Sequence, residues 1–125
     1  MFIINEDKSI CITRGDIGVI TVRAKNSSQE PYIFQPTDVV RLRVYEKNHH
    51  ELVVFHKNAA QIDVESETVF IHLTKEDTKL GEIINKPKEY WYEIELNPDE
   101  SPQTIVGYDT KGPKLFKLFP EGADV

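Results

Sequence analysis

The sequence predicts an all-β protein: an immunoglobulin-like antiparallel β-sandwich with one short helical turn. Three observations point there. Apolar residues recur at every second position in segment after segment. Clusters of Gly, Pro, Asn, Asp and Ser separate these segments about every ten residues. No helical period holds over about eleven residues anywhere in the chain. The length, 125 residues, suits one domain. That domain is expected to span residues 1–125, with its core in residues 9–119 and a short tail at 120–125.

Each element has its own warrant. Residues 9–13 alternate, with Ile10 and Ile12 on one face, and Arg14-Gly15-Asp16 supplies a structural turn into residues 17–24. There Ile20, Val22 and Ala24 stand opposite Val19, Thr21 and Arg23. A polar loop at 26–31 and the Pro36-Thr37-Asp38 turn precede the clearest alternation, Val40, Leu42 and Val44 against Arg41, Arg43 and Tyr45. A hairpin through residues 47–50 returns the chain as residues 52–55, after which Val69, Ile71 and Leu73 alternate with Phe70 and His72.

Thr74 and Asp77 have the spacing of a capping box, which predicts a single helical turn over residues 76–80 ended by Gly81. Tyr90, Tyr92, Ile94 and Leu96 then alternate with Trp91, Glu93 and Glu95, and Pro98 suits a type I turn at residues 97–100. Residues 103–106 and 115–119 complete the strands. The predicted core is Ile10, Ile12, Ile20, Val22, Val40, Leu42, Val44, Val69, Ile71, Leu73, Tyr92, Ile94, Leu96 and Ile105.

Charge narrows the function classes. Fifteen basic against 21 acidic residues give −6, which argues against phosphate-backbone binding, so no nucleic acid is expected as a partner. The mean hydropathy of −0.42 and the lack of a long apolar run argue against membrane insertion. Residues 1–7 meet acid before any run long enough for a signal peptide, and the single Cys11 suits a reducing compartment, so a cytoplasmic fold is expected.

No constellation suits catalysis, a cofactor or a metal. His49 and His50 are adjacent in an extended chain and point to opposite faces, which does not chelate one ion. No Gly-x-Ser-x-Gly elbow and no Gly-rich phosphate loop is present. Arg14-Gly15-Asp16 matches the integrin-binding tripeptide, but a tight turn needs Gly and Asp for conformational reasons alone. Tyr90 and Tyr92 face the core, which puts Trp91 among glutamates on the outer face, where either a loop covers it or it marks a protein interface or a sugar-stacking platform.

Five segments together carry a resemblance. In order and spacing, Ile12-Thr13-Arg14-Gly15-Asp16, Asp38-Val39-Val40-Arg41-Leu42-Arg43-Val44, Leu73-Thr74-Lys75-Glu76-Asp77-Thr78, Tyr90-Trp91-Tyr92-Glu93-Ile94-Glu95-Leu96 and Thr104-Ile105 resemble small β-sandwich proteins of tailed phages and prophages of Gram-positive bacteria. The chain is similar, over residues 9–119, to the N-terminal domain of the phage baseplate upper protein. It departs in the longer connection, residues 82–89, between Gly81 and Tyr90, and no coiled-coil or helical extension follows within the 125 residues.

The resemblance implies a non-enzymatic virion structural or assembly protein of the tail or baseplate. Such a protein acts through contacts with other phage virion proteins, in the host bacterial cytoplasm during assembly and in the virion tail. The expected anchor is Trp91, with Glu93 and Glu95 as a charged surround selecting a basic partner. A homo-oligomer through another surface is compatible with this. The alternative is a carbohydrate-binding sandwich that stacks sugars on exposed aromatics.

Overall fold

The computed structural model describes residues 1–122. In chain order the elements are β1 (Phe2–Ile4), β2 (Ile10–Thr13), β3 (Gly18–Val22), β4 (Val40–Glu46), β5 (His49–Asn58), β6 (Val69–Leu73), α1 (Lys75–Thr78), β7 (Lys88–Leu96), β8 (Gln103–Val106) and β9 (Lys114–Phe119). A wide, seven-stranded sheet runs β1-β2-β9-β7-β4-β5, with β8 also paired to β7; a narrow sheet consists of β3 and β6 alone. The two pack face to face as an all-β sandwich.

Period-two alternation places the core. Ile10, Ile12, Val40, Leu42, Val44, Tyr92, Ile94 and Leu96 of the wide sheet meet Ile20, Val22, Val69, Ile71 and Leu73 of the narrow one, all buried. Ile105 is the exception among the predicted core residues. It is half-buried on β8, a short strand that joins β7 across a register shift at Ile94/Glu95. Phe116 and Leu118 of β9 join the core, and loop residues Phe34 and Ile62 and the post-helix Leu80 close its ends.

The wide sheet departs from the sequence expectation in two ways. The wide sheet is not wholly antiparallel, because β2 and β9 pair in parallel, Ile10 opposite Phe116 and Ile12 opposite Leu118. No hairpin joins these strands, which come from opposite ends of the chain, so no tight turn dictates their sense. The short β1, absent from the sequence reading, pairs antiparallel with β2. Three residues carry too little alternation to announce a strand.

The helical turn starts one residue earlier and ends two residues earlier than predicted, at Lys75–Thr78. The Asp77 N–H donates to Thr74 Oγ1 at 3.2 Å while the Asp77 carboxylate accepts from the Thr74 N–H at 2.9 Å. The box therefore sets the start at Thr74, and one turn exhausts the element. Of the predicted tail at 120–125, residues 123–125 lie outside the described residues.

Candidate interaction surface

Residues of the wide sheet's outer face come from β4 and β7, whose register sets Arg41 opposite Glu95, Arg43 opposite Glu93 and Tyr45 opposite Trp91. The side chains follow that register. Arg43 Nη1 lies 3.0 Å from Glu93 Oε1, and His50 Nε2, brought over by the β4–β5 hairpin, lies 2.8 Å from the same oxygen. Arg43 also donates to the His50 carbonyl at 2.8 Å. Arg41 holds Asp99 through two bonds, at 2.9 and 3.1 Å, and stands beside Glu95. Hydrogen bonding from Arg41 lowers the Asp99 pKa below the usual carboxylate value.

Glu93 is thus already bonded within the sheet, and Glu95 lies in the field of Arg41. The expected charged surround of Glu93 and Glu95 is therefore not wholly open: Arg43 pairs with Glu93 across the ladder, while Arg41 stands beside Glu95 with its own ion pair made to Asp99.

Trp91 faces outward as the alternation requires, but it is half-buried rather than stranded. Its ring meets Tyr45 edge to face at 6.5 Å and Tyr108 at 6.0 Å. Tyr45, also on the outer face, is only 4% exposed, packed edge to face with the His50 ring at 4.9 Å and with the Arg43 guanidinium 5.5 Å from its ring centre. Burial is the main cause that raises the Tyr45 hydroxyl pKa, with Glu93 adding to it. The Trp91 Nε1 is buried without a hydrogen-bond partner among the described residues. Trp91 therefore belongs to a small aromatic cluster, and the exposed member is Tyr108, at 69%. Tyr108 escaped the sequence reading; its signal was the Gly107 and Gly112 that bracket its loop.

Arg14, Gly15 and Asp16 form a turn that is tied to α1. Gly15 has φ +88°, a left-handed conformation that suits glycine, and the Asp16 N–H donates to the Thr13 carbonyl at 2.9 Å. The Thr78 hydroxyl accepts from the Gly15 N–H at 3.0 Å and donates to the Asp16 carbonyl at 2.7 Å. Arg14 Nη2 donates to the Gly81 carbonyl at 2.7 Å, and the Asp16 carboxylate pairs with the Met1 amino group. The guanidinium and the carboxylate of this tripeptide both have intramolecular partners.

The narrow sheet's outer face is different in kind. Val19 and Thr21 of β3 lie opposite His72 and Phe70 of β6. Val19 is 44% and Phe70 45% exposed, and Ile17, just before β3, extends the row. Among the described residues no group of three or more His, Cys, Asp or Glu is placed to hold a metal ion, and no helix is long and apolar enough to cross a membrane. No family model matches this chain, and no curated protein matches it.

Proposed function

We propose that this chain is a non-enzymatic structural and assembly module of a phage or prophage virion, of the tail or baseplate, that works by binding other virion proteins. The observation that carries the reading is the outer face of the narrow sheet. Strands β3 and β6 bury one face and on the other set the apolar Val19 and Phe70 among Thr21 and His72. Here the outer side, with Ile17, Val19 and Phe70, has no cover within the described chain. The resemblance of the five segments supplies the setting, the host bacterial cytoplasm during assembly and then the tail.

The alternative, sugar stacking on exposed aromatics, gains less from the geometry. The Tyr45, Trp91 and Tyr108 rings meet at 82° and 63° rather than in one plane, so they offer no flat platform. Co-expression with the tail and baseplate proteins of the same locus, followed by co-purification, tests the proposal. A defined complex that Phe70→Glu abolishes without a change in melting temperature is the expected result. Binding on a glycan array with no tail-protein complex would overturn it.

A further inference from the structure

We infer that the free edge of β3 is a strand-addition site, which takes an extended segment of a partner protein with apolar residues at alternate positions and acidic residues at its flank. The inference rests on the assembly reading above and names the mode of contact. Among the described residues the backbone of β3 pairs only with β6, so its other edge presents unused ladder groups. The far edge of β6 differs: Ala60 N–H donates to the Phe70 carbonyl at 3.0 Å, and the loop that follows β5 covers it.

Beside the open edge the wide sheet continues without a roof. Phe2 of β1 lies under β3, where a Cβ on Gly18 would run into its ring. Ile4, on the same inward face and in register with the fully buried Ile10, is nevertheless 43% exposed. An inward-facing residue left that open marks where the narrow sheet is one strand short. A cleft of about 160 Å³ runs there between the sheets, floored by Ile10, Tyr92, Ile94 and Val106 and walled by Ile4 and β3. A dry apolar cavity of about 150 Å³ holds a benzene-sized group, so this one takes one large apolar side chain from an added strand.

Charge and shape select the occupant. The charged residues on the cleft's lips are Lys8 and Arg23, both cationic in a chain of net charge −6. Neither pairs with a carboxylate among the described residues; Arg23 Nε donates only to Thr68 Oγ1, at 3.2 Å. Acidic residues flanking the incoming strand would complete them. A second copy does not fit. Its β3 has Ile20 and Val22 committed to its own core and carries its own wide sheet beneath, which would meet β1. A single extended segment has neither obstacle.

The test uses the whole chain and a synthetic capped peptide of about eight residues, valine alternating with threonine and glutamate at both ends. Methyl NMR shifts at Ile4, Ile20 and Val106, with slowed amide exchange along β3, are expected. Arg23→Glu should weaken binding about tenfold, and the same peptide ended in lysine should recover it. Ile4→Lys should abolish binding. A peptide of the same composition with its valines grouped should not bind. Absence of methyl shifts, shifts confined to Val19 and Phe70 or to Tyr108, or indifference to Arg23→Glu would overturn the inference. None of those outcomes touches the tail-protein complex and its dependence on Phe70, which tests the assembly reading separately.

Discussion

Replacing Thr78 with valine removes one hydroxyl at the point where α1 meets the turn of residues 13–16. Thr78 is fully buried, and its Oγ1 serves the Gly15 N–H at 3.0 Å and the Asp16 carbonyl at 2.7 Å. Valine keeps the volume and leaves both backbone groups without that partner. A buried polar group so orphaned costs about 1–3 kcal/mol. Gly15 and Asp16 are half-buried, so water recovers part of the loss, and the two together should cost about 1.5–3 kcal/mol. For a chain of this size that is a fall of roughly 5–15 °C in melting temperature. Equilibrium urea unfolding is the assay, with the slope m unchanged and the midpoint lowered. Thr78→Ser, which keeps the hydroxyl, should recover most of the difference. A loss under about 0.5 kcal/mol for Thr78→Val would refute the claim that this hydroxyl ties the two turns together.

Gly15→Ala should cost about 1 kcal/mol or more, because φ is +88° and the new Cβ would sit 3.3 Å from Lys79 Cε; a neutral result by urea unfolding would show a turn that relaxes freely. Leu42→Ala, at a fully buried site between the sheets, should cost about 2–5 kcal/mol by the same measurement. Trp91→Ala should destabilise by about 1–3 kcal/mol, while Tyr108→Ala should stay within about 0.5 kcal/mol; thermal melts that reverse this order would return Trp91 to the role of an exposed anchor. Burial pushes the Asp77 carboxyl up, but the Thr74 N–H and the Lys57 ammonium at 2.9 Å outweigh it and hold its pKa below the usual value. Its contribution to stability is therefore complete above the unfolded-state pKa, about 3.9, and is lost as pH falls through the lower folded value. Asp77→Asn should flatten the acid limb of the stability profile; an unchanged limb would show that the pairing carries no weight.

Much of the fold was written in parity. On β4 and β7 the sequence announces which residues face inward, because a one-residue slip would expose Leu42 and Ile94 together. Parity says nothing about neighbours. Arg41 and Arg43 on one strand and Glu93 and Glu95 on another were visible as rows, but only the antiparallel register of β4 with β7 makes them cross-strand pairs. The sequence alone therefore leaves Glu93 looking like a free carboxylate. His50 was further out of reach, since its approach to Glu93 depends on the register shifts in the β4–β5 hairpin. Phe34 and Ile62 lie in loops, where no periodicity marks a side chain as core.

The unequal widths of the two sheets leave apolar surface open in a place to which the sequence did not point. A lone tryptophan among glutamates reads as an open surface, yet the wide sheet covers much of that surface internally, though the Trp91 Nε1 has no hydrogen-bond partner among the described residues. Arginine answers glutamate across the ladder, and Tyr45, His50 and Tyr108 pack around or over the aromatic cluster. The narrow sheet has no such means. With only two strands it cannot roof Ile4, its β3 edge has no neighbour among the described residues, and its outer face sets Val19 beside Phe70 with a single histidine and a threonine between them. Burying apolar area contributes about 25 cal/mol per Å², a term still unrealised at Ile17, Val19 and Phe70 on the uncovered face and at Ile4 beside the cleft. On the proposed assembly reading, a partner that covers them gains that term.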